Sequence, residues 1–190
     1  MKLLIVDNHD SFTYNLVQLI RECDLCSYDV ISHDQIDIHK VSEYDKILFS
    51  PGPSIPDDFP IMKQILKKYQ SSKSILGVCL GMQAMAEFYG GELRNLSSVV
   101  HGQERRCDVL AEDPLFNGLP EHFQVGLYHS WTVKDENFTN DLIITSRSEK
   151  GIIMSLKHKE FDVRGVQFHP ESIITKLGSE MICNWLRNWS

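Results

Sequence analysis

The chain has 190 residues, of which 42% are hydrophobic and 24% charged, and its formal net charge is -7. This composition fits one globular domain over residues 1–190, and an acidic chain without a basic stripe argues against a nucleic-acid partner. No apolar run approaches the roughly 20 residues of a membrane span, and Asp7 interrupts the N-terminal apolar run too early for a signal peptide. We therefore expect a cytoplasmic protein with no membrane partner.

The first half of the chain alternates predicted strands with predicted helices. Apolar runs predict strands at 3–6, 29–32, 46–49 and 74–78, and helical spacing predicts helices at 11–22, at 59–69 and from Cys79 onward. Asp10 or Ser11 can cap the first helix. Alternation at this spacing predicts a parallel sheet that is covered by helices on both faces.

The second half of the chain has a different pattern. Short alternating runs at 92–94, 123–125, 142–144 and 152–156 are separated by turn residues and predict antiparallel pairs. A last helix is predicted from Leu177 to Trp189. The expected fold class is therefore α/β, a single domain with a central, largely parallel mixed sheet and helices on both faces.

The segment Gly77-Val78-Cys79-Leu80-Gly81 is the most informative in the chain. A strand that turns into a helix at a residue between two glycines has the pattern of a nucleophile elbow, here with Cys79 in the nucleophile position. The turn is tight, so we expect no room for Cβ atoms beside Cys79. The helix N-terminus favours its thiolate. The alternative is that Cys79 is a small buried apolar residue.

A base and a carboxylate follow late in the chain, at His169 and Glu171 in the segment Gln167-Phe168-His169-Pro170-Glu171-Ser172. By itself this segment could be a loop with a solvated Glu171. In a parallel sheet, however, ligands bind at the carboxyl ends of the strands, where 7–8, 50–53 and Cys79 all fall. Together the two segments predict a Cys/His/Glu nucleophilic site.

The five cysteines do not predict a disulfide framework, because their number is odd and no export signal precedes them. Cys23 and Cys26 have the spacing of a redox motif, but they fall at a predicted helix end without a second pair for zinc. No His/Cys/Asp spacing predicts a metal.

Three further segments carry a family resemblance. Residues 50–53 (Ser-Pro-Gly-Pro), 77–83 and 167–172 resemble the motifs of the class I, or triad, glutamine amidotransferases, in order and over essentially the whole chain. The segment 7–15, with His101-Gly102 and 128–130, resembles one branch of that family. This branch holds the glutaminase subunits of anthranilate synthase and aminodeoxychorismate synthase.

The resemblance implies a role for each motif residue. Cys79 would attack the side-chain amide of L-glutamine and form a thioester, His169 would move the protons, and Glu171 would orient His169. The backbone N–H groups of Gly52 and Leu80 would form the oxyanion hole, with Gly52 held rigid between two prolines.

The resemblance also implies the substrate contacts. Gln83, Ser130 and Trp131 would hold the α-amino and carboxylate groups of glutamine, and Pro53 and Ser54 would line the pocket. Four positions depart from the usual pattern of the branch, namely Met82, Gln103, Leu127 and Trp131. We expect Met82 to be a core or pocket-wall side chain, and His9 and His129 to lie at the mouth of the site or on the partner surface.

The resemblance implies no cofactor in this chain, since Mg²⁺ would belong to the partner. That partner would be a separate, chorismate-binding synthase subunit (component I) that receives the ammonia. The sequence leaves open the tryptophan or folate pathway, or both. It also leaves open a glutaminase for another synthase, a stand-alone Cys-dependent γ-glutamyl hydrolase and a non-catalytic homologue.

Overall fold

The computed structural model describes residues 1–136 and 138–188. In these residues the strands are β1 (Lys2–Asp7), β2 (Ser27–Ser32), β3 (Lys46–Phe49), β4 (Ser74–Val78), β5 (Leu93–Val109), β6 (His122–Val133), β7 (Leu142–Ser148), β8 (Ile153–His158) and β9 (Val163–Val166). The α-helices are α1 (Thr13–Cys23), α2 (Pro60–Tyr69), α3 (Leu80–Phe88) and α4 (Gly178–Arg187). Helix α4 begins one residue after the predicted start, and the predicted end at Trp189 lies outside the described residues.

The strands form one mixed sheet in the order β2-β1-β3-β4-β9-β8-β7-β5-β6. The first five strands in this order, β2-β1-β3-β4-β9, are parallel to their neighbours. The remaining pairs, along β9-β8-β7-β5-β6, are antiparallel. The predicted mixed α/β sheet is therefore confirmed. Strand β9 was not predicted, although it is the strand that pairs with β4 and joins the two halves.

Helices cover both faces of the parallel half, as predicted. Leu3 and Ile5 of β1 pack in one core with α1 and α4, whereas Leu4 and Val6 pack in the other core with α2 and α3. A strand buried on both faces needs a continuous apolar run, which is the pattern that predicted it. None of the described helices is long and apolar enough to cross a membrane.

Strands β5 and β6 are much longer than their sequence pattern predicted, with 17 and 12 residues. Their pairing shifts register between Asn95 and Val100 and again between His101 and Gln103. Each bulge breaks the alternation of apolar and polar residues on which the prediction depended. The consequence is that β6 extends through residues 128–131 and carries them to the edge of the site.

The structure contains one disulfide bond in the described residues, although the cysteine pattern predicted no disulfide framework. Cys23 at the end of α1 is bonded to Cys183 in α4, with their Cα atoms 5.5 Å apart. Cys26, its redox-motif neighbour, is a free thiol, as are Cys79 and Cys107. The pairing joins residues 160 positions apart because α1 and α4 pack on the same face of the sheet. Sequence spacing cannot reveal such a contact.

Candidate active site

Cys79 stands at a sharp turn between β4 and α3. Its backbone has φ 53° and ψ -99°, a positive-φ conformation outside the left-handed helical region that a non-glycine residue rarely adopts. The Cys79 N–H donates to Val166 O at 2.7 Å, and its carbonyl accepts from Gln83 N at 3.1 Å. Strand β9 and the first turn of α3 thus hold the strained residue from both sides.

The two flanking glycines are required by close backbone packing. A Cβ on Gly77 would lie 2.5 Å from the carbonyl carbon of Gly81, and one on Gly81 would lie 2.7 Å from Phe49 Cβ. Real Cβ contacts are longer than this. The prediction that this turn has no room for Cβ atoms is confirmed, and the obstruction comes from the backbone and from β3.

His169 and Glu171 form a buried pair close to Cys79. His169 Nδ1 lies 2.7 Å from Glu171 Oε1, and the two side chains are 2% and 0% exposed. A carboxylate only accepts hydrogen bonds, so Nδ1 carries the proton. His169 N donates to Gly126 O at 3.0 Å, which ties the segment to β6. The rings of Phe12 and Tyr128 pack against the imidazole edge to face.

The surroundings of His169 favour its protonated form. Burial by itself would lower the pKa of His169, but the charge of Glu171, with the nearby Cys79 and the hydrogen bond to Glu171, raises that pKa well above its usual value. The Nε2 atom is buried and makes no hydrogen bond within the described residues. The arrangement can therefore hold a proton at the imidazole beside a cysteine sulfur.

The loop at 50–53 is held by a residue for which the sequence suggested no role. Asn8 is fully buried; its N–H donates to Ser50 Oγ and its side-chain amide to Ser50 O, both at 2.9 Å. A Cβ on Gly52 would lie 2.9 Å from Asn8 Cβ and 2.5 Å from Leu80 Cδ2. Gly52 is therefore enclosed between the end of β1 and the start of α3.

A cavity of about 240 Å³ opens beside the cysteine. It is lined by Gly52, Pro53, Ser54, Cys79, Leu80, Gln83, Val99, His101, Tyr128, His129, Ser130 and Trp131. Every predicted oxyanion and glutamine-binding residue lies on this lining, whereas His169 and Glu171 are buried behind it. A larger cavity of about 680 Å³ along residues 109–118 contains none of the predicted site residues.

Gln83 and Gln167 link the cavity wall to the sulfur. Gln83 Nε2 donates to Trp131 O at 2.9 Å and to Gln167 Oε1 at 3.2 Å. Gln167 Nε2 lies 3.4 Å from Cys79 Sγ. Gln167 lies in the segment 167–172, but nothing in that segment distinguishes it from its neighbours.

His129 is part of the same wall and is kept neutral. Burial, the largest influence, and the nearby His169 lower its pKa to about 4, against a hydrogen bond to Trp131 O that would raise it. Its Nδ1 lies 2.9 Å from that carbonyl oxygen. His129 thus lies in the cavity wall, as expected for the mouth of the site, whereas His9 is exposed and does not line it.

The structure shows the location of each of the four residues that depart from the family pattern. Met82 is fully buried in the core shared with α2, and a Cβ on Gly165 would lie 2.8 Å from its Cβ, so the expectation of a core side chain is confirmed. Leu127 is also buried, and Gln103 accepts a hydrogen bond from Arg105 at 2.5 Å. Trp131 contributes its backbone carbonyl to the wall.

One group of side chains in the described residues has the composition of a metal site. Single ligand atoms of His9, His33 and Asp34 lie within 4.8 Å of one another. However, His9 Nε2 is 2.7 Å from Ser32 Oγ, and Ser32 Oγ donates to Asp34, so His9 and Asp34 already bond through Ser32. None of the three lines the cavity beside Cys79. The absence of a cofactor remains a prediction.

Sequence comparison assigns the chain to a family. The model of the family "Glutamine amidotransferase class-I" matches residues 4–189, and the chain belongs to this family. The elbow cysteine, the buried imidazole–carboxylate pair and all of the sheet except the first two residues of β1 lie within the matched residues.

Individual proteins similar to this chain include members of one branch of the family. The chain is 47% identical to a Haemophilus influenzae protein named "Putative anthranilate synthase component II", covering 98% of this chain and 96% of that protein. It is 35% identical to the Bacillus subtilis "Aminodeoxychorismate/anthranilate synthase component 2", with coverage of 98% and 96%. A crystal structure from Thermoplasma acidophilum, described as a "putative gmp synthase subunit a protein", superposes with a TM-score of 0.87 at 23% identity, covering 98% of this chain and 92% of that one. The last likeness concerns the fold alone.

Proposed function

We propose that this chain is the glutaminase component of a chorismate-using synthase, an anthranilate or aminodeoxychorismate synthase. It hydrolyses L-glutamine and delivers ammonia to a separate, chorismate-binding component I in the cytoplasm. The main support for this proposal is the buried His169–Glu171 pair, which lies beside Cys79 at its strained strand-to-helix turn. The names of relatives that match nearly the whole chain support the choice of partner.

The first half of the proposed reaction forms a thioester. His169 takes the Cys79 proton, and the sulfur attacks the side-chain amide carbon of glutamine. The tetrahedral intermediate collapses as its C–N bond breaks, and the imidazolium returns the proton to the departing ammonia. In this step Glu171 keeps Nδ1 protonated and stabilises the imidazolium. The high pKa of His169 suits it to hold the proton in transit.

The second half releases glutamate. His169 removes a proton from water, the hydroxide attacks the thioester carbon, and the C–S bond breaks. The sulfur leaves as a thiolate and regains its proton from His169. Atoms balance as glutamine plus water giving glutamate plus ammonia, so the chain itself is unchanged after one turnover.

Charge on the tetrahedral oxygen would be stabilised by the peptide N–H groups of Gly52 and Leu80. Leu80 is the first residue of α3, and the first N–H groups of a helix have no intrahelical acceptor. The close approach of Gly52 to the Leu80 side chain brings the two residues to the same wall of the cavity. Preorganised donors of this kind contribute about 10²–10³ to the rate.

Substrate recognition would use the remaining polar wall. Ser130, Trp131 and Gln83 would hold the α-amino and carboxylate groups of glutamine, with Pro53 and Ser54 beside them. Ser54 has φ 66° and its hydroxyl donates to Asp58, so its loop is already ordered. The cavity of about 240 Å³ has room for a free amino acid.

The test is chorismate amination with each kind of component I in turn. Wild type and Cys79→Ser are assayed with glutamine and, separately, with an ammonium salt. We expect Cys79→Ser to lose glutamine-dependent product by at least about 10³-fold and to keep ammonia-dependent product. The component I that forms product with this chain and glutamine identifies the pathway, tryptophan or folate.

Two outcomes would contradict the proposal. Glutamine-dependent product that survives Cys79→Ser would exclude the thioester. Rapid turnover of γ-glutamyl peptides with no response to either partner would favour a stand-alone hydrolase instead.

A further inference from the structure

A glutamine side chain that the mechanism above does not use lies against the reactive sulfur. Gln167 is fully buried directly after β9, and its Nε2 is 3.4 Å from Cys79 Sγ. Its backbone N–H donates to Met154 O at 2.8 Å. The contact follows from the sheet order, because β9 is the parallel neighbour of the strand that leads into Cys79.

The orientation of this amide is determined by its neighbours. A backbone carbonyl can only accept, so Trp131 O requires the NH₂ group of Gln83 on its side, at 2.9 Å. The same NH₂ group then donates to Gln167 at 3.2 Å, which makes the near atom of Gln167 its oxygen. The nitrogen of Gln167 must therefore point at Cys79.

The Trp131 carbonyl oxygen, which orients the Gln83 amide, is also held in place. The Trp131 carbonyl also faces His129 Nδ1 at 2.9 Å, and because a carbonyl only accepts, Nδ1 is the donor. Two donors occupy both lone pairs of that oxygen. Gln83 cannot turn its amide without losing a bond in a site where its side chain is almost fully buried.

We propose that Gln167 is a further catalytic residue, whose side-chain amide donates a hydrogen bond to the Cys79 sulfur and stabilises it as a thiolate. A thiolate accepts hydrogen bonds much more strongly than a neutral thiol or a thioester sulfur. The bond therefore favours the form that attacks the substrate and the form that leaves in the second half of the reaction. No proton moves to or from Gln167.

This assignment distinguishes two contacts of the sulfur. Tyr128 O lies 4.0 Å from Sγ and can only accept, so it can receive the S–H of the resting thiol. Gln167 can only donate at its near atom. Loss of the proton to His169 thus removes the S–H contact to Tyr128 and strengthens the existing bond from Gln167. The role in glutamine turnover rests on the proposed function, whereas the effect on the thiolate does not.

The test measures Cys79 alkylation by iodoacetamide from pH 5 to pH 10, with peptide-resolved mass spectrometry. Gln167→Met keeps the length of the side chain and removes the donor. We expect its alkylation rate at pH 7 to fall about tenfold, with the two rate profiles converging at high pH, where the thiol of either protein is ionised. Cys26, the half-buried free thiol, is the internal reference and should react equally in all variants.

Two variants separate this role from general packing. Gln70→Met alters another glutamine, which accepts a hydrogen bond from Tyr89 at 2.6 Å and does not line the cavity beside Cys79, and it should leave the profile unchanged. Gln83→Met should shift the profile less than Gln167→Met, and the double variant should shift it no further than Gln167→Met, because both act through one bond. Gln167→Asn, which withdraws the amide from the sulfur, serves if Gln167→Met does not fold.

A Gln167→Met profile that superimposes on that of wild type would overturn the proposal, as would an equal shift in Gln70→Met. Failure of the proposed function is a separate result. In that case wild type would support no glutamine-dependent amination with either partner, while the alkylation profiles would still differ.

Discussion

Gly52→Ala tests whether the loop between β3 and α2 must hold its place for catalysis. The new Cβ would lie 2.5 Å from Leu80 Cδ2, 2.9 Å from Asn8 Cβ and 3.2 Å from Asn8 O. Carbon atoms in contact prefer about 3.5–4.0 Å, so relief requires a displacement of about 1 Å against Leu80 and over 0.5 Å against Asn8.

Neither neighbour can move freely. Leu80 is 1% exposed and begins α3, and Asn8 is fully buried with two 2.9 Å bonds to Ser50. Overpacking of this kind costs about 1–3 kcal/mol of unfolding free energy. A shift of about 1 Å in a group that positions the reacting atoms costs about 10²-fold in rate, so we expect kcat for glutamine to fall about 100-fold.

The assay pairs glutamate release with urea unfolding, and Gly118→Ala is the matched control. Gly118 has φ +75° with nothing within 4 Å of an added Cβ, so alanine there costs about 1–2 kcal/mol of backbone strain away from the cavity. It should lose stability and keep its kcat. If Gly52→Ala keeps more than half of the wild-type kcat despite a measurable loss of stability, the assignment of Gly52 to the reacting wall is wrong.

Two further predictions concern stability. Asp113→Ala should lower the unfolding free energy by about 2–3 kcal/mol in urea titrations, because it removes one of the two carboxylates paired with the buried Arg164 and the acceptor of the Leu115 N–H, whereas Asp135→Ala, in a half-exposed pair, should cost under about 1 kcal/mol. His129 has its pKa lowered from 6.5 to about 4 by burial, so the unfolded chain binds more protons between these values, and stability falls as pH drops from 6.5 to 4, by up to about 3 kcal/mol. His129→Gln should reduce this acid loss in unfolding curves at pH 7, 5.5 and 4.5, and an unchanged pH dependence would contradict the assignment.

The predicted parts of the site share a local cause. The two glycines lie within two residues of Cys79, and His169 and Glu171 are two residues apart. Within each of these short segments, turn geometry and side-chain chemistry act directly. The parallel half of the sheet was predictable for a similar reason, because strands buried on both faces must be apolar throughout. These patterns were sufficient to predict the elbow and the edge of the sheet at which the site lies.

The missed parts depend on contacts between distant segments. Asn8 and Gln167 both lie within motifs, but nothing in their immediate sequence distinguishes a buried amide with several partners from an exposed one. The bond between Cys23 and Cys183 was missed for the same reason, because its partner is supplied by an element far along the chain. The length of β5 was missed because its bulges break the alternating pattern.

The sequence by itself determined the chemical groups of this protein, its alternation of strands and helices and the strained turn at Cys79, because propensity and side-chain period act over a few residues. Only the tertiary structure decided which groups meet. Short strand β9 enters between β4 and β8, and this insertion brings Gln167 and His169 to the cysteine. Strand order depends on hydrogen bonds and packing between remote segments, which no local pattern encodes.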